Sequence, residues 1–270
     1  DAGRDINAIA SQIGARRDIA MAATEDLTLS SAADEQHSAY NSKKLKIQED
    51  HVQQVATSVK AGGDVVLSAG QDMALIASRV TAGDEAYLYA GKNLELKSAE
   101  DQDYSFYSKT KKSSSGKKFR LDETDSTTNV GSLVSSGGNS TLVAGKDLLL
   151  AGSAVAADKG AAKLVAGEDV QILAVNDSDS ARHERKQSKS SWGGFKSSKV
   201  QDKVDETRTT AVGSMVSGET VSVAGAQDVT VTGSALVSTG DLTVQAGRDL
   251  TIDAAQNTFS RTDMHKEKNR

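Results

Sequence analysis

A parallel β-solenoid is the fold class this sequence predicts, and three observations predict it. The 270 residues contain no proline and no cysteine. A Gly-x-Asp/Asn anchor followed by apolar-x-apolar recurs in steps of 21 or 22 residues. Between anchors, short runs alternate apolar and polar side chains, the period-2 signature of a strand with one buried face.

Proline averages about 5% of residues, so roughly 13 would be expected. In a solenoid, strands of every inner coil pair on both edges. A residue without an N–H deletes a ladder bond wherever it falls, which accounts for the zero. The missing cysteine excludes a disulfide framework, a thiolate zinc site, an iron–sulfur cluster and a cysteine nucleophile. Aromatic residues are only 4% of the chain, so Val, Leu, Ile and Ala must fill the core. The net charge of -5 carries no global nucleic-acid signature, and no nucleic-acid partner is expected. No run approaches the roughly 18 apolar residues of a membrane-spanning helix. The opening Asp1-Ala2-Gly3-Arg4-Asp5, without a starting Met or a leader, reads as the middle of a pattern and suggests a piece of a longer protein.

The anchors are Gly3-Arg4-Asp5, Gly70-Gln71-Asp72, Gly91-Lys92-Asn93, Gly145-Lys146-Asp147, Gly167-Glu168-Asp169 and Gly247-Arg248-Asp249, with a longer variant at Gly225-Ala226-Gln227-Asp228. Gly70 to Gly91 is 21 residues, and Gly145 to Gly167 is 22. Within a unit, Asp5, Asp18 and Asp26 are spaced 13 and 8, as are Asp228, Asp241 and Asp249. Each Asp opens a short alternating run, such as Leu242-Thr243-Val244. Two or three strands per 21–22 residues make one coil of a solenoid. At the corners, glycine is expected to supply positive φ and Asp or Asn to bond its own turn. Roughly 8–11 coils should rise about 40–55 Å at ~4.8 Å each.

The whole chain reads as a single β-helix fragment interrupted by polar excursions at about 33–54, 100–129, 176–211 and 256–270. They end alike: Asp122-Glu123-Thr124 leads to Val130-Gly131-Ser132, and Asp205-Glu206-Thr207 leads to Val212-Gly213-Ser214. From Val55 to Val130 is 75 residues and from Val130 to Val212 is 82, a superrepeat of paired coils plus one excursion. The tips Lys109–Phe119 and Lys186–Lys196 are both rich in Lys, Ser and Gly. Weak alternation in their flanks predicts protruding β-hairpins or flexible arms.

Most aromatic residues lie in the excursions; on the coils, only Tyr87 and Tyr89 remain, alternating onto one face. The candidate surface contacts are therefore Tyr104, Phe106, Tyr107, Lys111, Lys112, Lys117, Lys118, Phe119, Lys189, Trp192, Phe195 and Lys196. These rings either pin the arms to the solenoid wall or meet a glycan, lipid or receptor. Other chemistry is weakly supported. His37, His51, His183 and His265 lack metal-ligand spacing. The corner aspartates sit beside residues of mixed charge, which favours turn capping over calcium binding. The acids recur with the repeat instead of converging on one wall, as a carbohydrate-active solenoid would require. No catalytic residue, metal or cofactor is expected.

At the Ala-Gly-x-Asp coils and the Asp-Glu-Thr…Val-Gly-Ser re-entries, the sequence resembles the haemagglutinin-repeat family of large secreted exoproteins. That family includes filamentous haemagglutinin adhesins and the CdiA-type effectors of contact-dependent growth inhibition. The long second period is more like the second, membrane-distal repeat block of such effectors. The resemblance implies a right-handed parallel β-helix exported with the help of an outer-membrane secretion transporter. It implies a secreted or cell-surface location and a structural, non-enzymatic role: engaging the target-cell envelope (outer-membrane lipid, lipopolysaccharide, glycan or protein) in adhesion and toxin delivery. A passive filament spacer is the alternative, and a carbohydrate-active solenoid a more distant one.

Overall fold

In the computed structural model, which describes residues 1–191 and 196–269, the chain is all β-strand, with no helix among the described residues. It winds through three parallel walls. The first has eight strands, from Ile6–Ile9 to Leu250–Asp253. The second has seven, from Gln12–Ala15 to Ala235–Ser238, and the third has seven, from Ile19–Ala23 to Leu242–Ala246.

Every strand is in register with its neighbours, so like side chains stack coil upon coil. Leu29, Leu75, Leu96, Leu150, Ile172 and Val231 form one column. Leu67, Leu88, Leu142, Leu164 and Val223 form a second. Val59, Val80, Val134, Val155 and Val216 form a third. All are buried, and each contributes about 1.5–3 kcal/mol by leaving water. The core is aliphatic, as the composition requires, and Tyr87 and Tyr89 both face outward.

The corners differ from expectation in two respects. The Asp side chains bond the next coil rather than their own turn. Asp26 accepts from the Asp72 N–H (3.1 Å), Asp72 from Asn93 (3.1 Å), and Asp169 from Asp228 (3.0 Å). The reason is spatial: the coil one step along presents an N–H directly above the carboxylate. The anchor glycines do not supply positive φ either. All but the terminal Gly3 are needed for close approach; a Cβ at Gly91, for example, would collide with the Gly70 carbonyl oxygen. Positive φ occurs instead between the first and second walls, at Ala10 (45°), Ala77 (44°), Gly152 (57°) and Gly233 (57°).

Those four residues mark alternate coils. The coils between them leave the solenoid at the same corner and extend a hairpin. The first hairpin pairs Ala32–Asn41 with Leu45–Val55, the second Ala99–Ser113 with Gly116–Val130, and the third Val175–Ser190 with Ser197–Val212. A last strand, Thr258–Asn269, follows the final first-wall strand. The hairpins also pair with one another along their flanks, antiparallel, into one seven-stranded sheet. The excursions thus form a continuous fin beside the solenoid. A hairpin is two strands wide, about 9.6 Å, and two coils rise the same distance. One hairpin per two coils is the spacing at which neighbouring hairpins meet.

A buried hydroxyl fixes the root of each hairpin. Thr57, Ser132 and Ser214 are the residues on which the chain re-enters, and all are buried. They donate to the carbonyls of Ser30 (2.7 Å), Lys97 (2.9 Å) and Leu173 (2.8 Å), where the chain departed. Each also accepts from a corner N–H of an adjacent coil: Ser11, Ser78 and Ser153, at 3.1 Å. Further out, the N–H groups of Gln54, Asn129 and Ala211 donate to Asp101, Asp177 and Asn257 of the following excursion, at 2.6–2.7 Å.

Replacing Ser214 by Ala leaves the buried Ser153 N–H without its acceptor, while the Leu173 carbonyl keeps only the Gly152 N–H (3.1 Å). The expected loss is about 1–3 kcal/mol of stability, read by denaturant unfolding, against no measurable loss for Ser105→Ala on the exposed fin. Gly91→Ala should lower the melting temperature through its clash with Gly70, whereas Gly3→Ala, with open space around its Cβ position, should not.

Candidate surface of the fin

Successive residues of a strand alternate faces, and the register sorts the fin's side chains into two sets. One face carries Tyr104, Phe106, Lys112, Lys117 and Phe119; the other carries Tyr107, Lys111, Lys118 and Lys189. The candidate contacts are therefore split between opposite faces. Lys196 is exposed at the turn of the third hairpin, and Trp192 and Phe195 lie outside the described residues. The register adds Lys109, Arg120, Arg185, Lys186 and Lys199, which fall in the basic stretches of the sequence but not among the candidate contacts, and Lys266 and Lys268, which sequence reading missed. They come from three separate excursions, and only the pairing of strands distant in sequence brings them together.

On the first face, Lys186 Nζ sits 5.3 Å from the centre of the Phe119 ring. An open hollow of about 1050 Å³ surrounds this ring, lined by Lys117, Lys186, Lys199, Lys266 and Lys268 among others. On the opposite face the Arg120 guanidinium lies 5.6 Å from the Tyr107 ring. A smaller hollow there, about 560 Å³, is lined by Lys109, Lys111, Lys118, Arg120 and Arg185. Both cation–aromatic pairs keep a charge at the surface while covering apolar carbon.

Charge is segregated along the fin. From the row of Lys109, Arg120 and Arg185 outward, the only acids among the described residues are Asp202 and Glu267. Towards the solenoid the order inverts. Asp34, Glu49, Asp50, Asp103, Asp122, Glu123, Asp125, Asp179 and Asp205 are among the acids there, and the basic groups are Arg182, Arg208 and Arg261 besides histidine, with Lys46 and Lys203 in the first row inward of Arg120. Between the zones sits Glu184, 6% exposed. Burial pushes its carboxyl up, but the Lys186 ammonium, with Gln201, overrides that and holds it below the usual range.

All four histidines lie on the fin, each beside an Asp of the adjacent strand. His37 faces Asp50 (3.0 Å) inside the first hairpin. The others bridge hairpins: His51–Asp103 (2.6 Å), His183–Asp122 (2.9 Å) and His265–Asp202 (2.6 Å). Hydrogen bonding to Asp50, and then to Glu35, raises the His37 pKa. Burial would push Asp122 up, but hydrogen bonds from His183 and Arg120 hold it low. Tyr104 is pushed up to about 12, first by burial and then by its hydrogen bond to Glu123 (3.0 Å). Among the described residues no group of three or more His, Asp or Glu is placed to hold a metal ion.

With this geometry, the decisive comparison is with a family model. The model described as "Hemagglutinin repeat" matches residues 39–122 and 193–269. The chain belongs to the haemagglutinin-repeat family. Its matched stretches take in fin strands and coils alike, so the hairpin is part of the repeat. Similar proteins include the 16S rRNA endonuclease CdiA of Enterobacter cloacae subsp. cloacae, 32% identical over 96% of this chain and 8% of that protein. The tRNA nuclease CdiA of Escherichia coli is 28% identical over 93% of the chain and 8% of its own length. The deoxyribonuclease CdiA of Dickeya dadantii is 34% identical over 58% of the chain and 5% of its own length. The repeat thus spans under a tenth of these relatives. No solved structure matches it significantly.

The charge environment of His37 fixes a sign. Its pKa is raised above 6.5 in the folded chain. The pairing therefore stabilises fully below the unfolded value and is lost as pH rises through the folded one. NMR titration should place the His37 midpoint above 6.5, and Asp50→Asn should move it back down.

Proposed function

We propose that this repeat is a structural and interaction segment of a large exported surface exoprotein. In this reading the solenoid is the shaft and the fin is the surface it offers to a target cell's envelope, supporting adhesion and contact-dependent toxin delivery. The parent chain reaches the surface with the help of an outer-membrane secretion transporter. The observation that carries the reading is the fin tip. A strand of 15 residues places its basic side chains and Phe119 about 35–45 Å from the wall at ~3.3 Å per residue, far beyond anything the core needs. The contact residues are those of the tip: Lys111, Lys112, Lys117, Lys118, Phe119, Lys189 and Lys196, together with Trp192 and Phe195 of the sequence between Ser190 and Ser197. Tyr104, Phe106 and Tyr107 lie lower on the same strands.

A non-enzymatic role fits the carboxylates. Corner aspartates spend their oxygens on N–H groups of the next coil, and lower-fin acids bond neighbouring histidines. Relatives named for three different nuclease activities match the same repeat, which points to a part common to them and separate from the named chemistry.

The test is to trim the tip in the full-length parent, removing residues 111–118 and closing Thr110 to Phe119 with an Asn-Gly turn. The circular dichroism of the repeat should be unchanged, while attachment to target cells and toxin delivery fall. Full attachment and delivery after the same trimming of the third hairpin would overturn the interaction role and leave a spacer.

A further inference from the structure

A row close to the tip of the fin has an arrangement that folding alone does not favour. The register sets Lys112 beside Lys117, Lys117 beside Ser188, Ser188 beside Lys199, and Lys199 beside Lys268. These residues share a face, and neighbouring strands are about 4.8 Å apart. Like charges directly opposite one another destabilise a sheet, and no acid lies in this row. Two rows inward, Phe119 and Lys186 continue the same face. The row runs parallel to the solenoid axis, so it presents a line of ammonium groups and not a pocket. Arginine, the residue suited to bidentate capture of one carboxylate or phosphate, stays nearer the shaft: Arg120 and Arg185 lie three rows below Lys112.

We propose that this lysine edge docks on an anionic phospholipid surface, with the shaft lying parallel to the membrane plane. A flexible ammonium held at the end of a four-carbon stem suits a fluid layer of phosphate headgroups better than a fixed ligand. Each lysine near such a surface adds to the attraction, and one row can engage several headgroups together. The acidic lower fin is repelled by the same surface, so contact is edge-on and the shaft stays clear. This deepens the envelope reading above by naming the chemistry that the tip meets.

The experiment uses the 270-residue chain and vesicles of phosphatidylcholine with or without phosphatidylglycerol. The chain should sediment with the anionic vesicles only, and raising salt from 50 to 500 mM should release it. The variant K112Q/K117Q/K199Q/K268Q should partition at least tenfold more weakly. K60Q/K92Q/K146Q/K163Q, with the same charge change on the exposed shaft, should bind like the parent sequence. Equal binding to neutral vesicles, or an unaffected fin variant, overturns the proposal. So does binding to heparin or inorganic phosphate without binding to anionic vesicles. If the chain attaches to intact target cells but not to anionic vesicles, the lipid proposal falls and the envelope reading stands. Attachment to neither removes both.

Discussion

The distance between hydrogen-bonded strands governs this molecule twice. It sets the rise of each coil, and it sets the width of each hairpin. Because both are built from the same backbone spacing of about 4.8 Å, a two-stranded hairpin leaving every second coil lands flank to flank with its neighbour. The alternation of tight corners at Ala10, Ala77, Gly152 and Gly233 with hairpin-bearing corners follows from that match. A hairpin on every coil would leave the fin strands no room. One on every third would leave gaps, with exposed edges and no lateral pairing.

The same constraint explains why the polar chemistry looks from coil to coil. Stacking puts identical residues above one another, so each corner N–H meets a side chain of the adjacent turn. Asp at one corner and Ser or Thr at another are short enough to accept from it without leaving the stack. The re-entry hydroxyls do more, because each joins the point where the chain leaves to the point where it returns. The bond between Ser214 and Leu173 (2.8 Å) spans 41 residues of chain. It ties a long excursion into the solenoid ladder with a group too small to disturb the aliphatic columns.

Much of the solenoid was legible because its signal is local and repeated. The alternation in Leu94-Glu95-Leu96 names a buried face from three residues, and its recurrence names the stack. The superrepeat was legible for the same reason. What escaped is relational. Ser132 and Ser214 stand in plain view in the re-entry motif, yet nothing in the string says that the hydroxyl reaches back to Lys97 or Leu173. The fin's continuity was hidden too, since pairing Gly116 with Lys189 depends on the stagger of two hairpins far apart in sequence. Corner glycine was misjudged because two different needs, left-handed φ and close approach, select the same residue. Gly91 serves the second and Gly152 the first.

The fin also separates stability from display. A single sheet with both faces toward water gains little from apolar burial, so its order rests on ladder bonds, on clasps at its root and on cross-strand pairs such as His183–Asp122 and Arg261–Glu206. These stabilising pairs are concentrated in the acidic lower half. Towards the tip such pairing thins out: Lys112, Lys117, Lys199 and Lys268 face one another with no acid between them. A sheet held from its root can carry an unfavourable charge pattern at its edge, because the lower strands already fix the register. The composition of the tip is thereby free to follow what it touches, while the composition of the root and coils follows what holds the structure together.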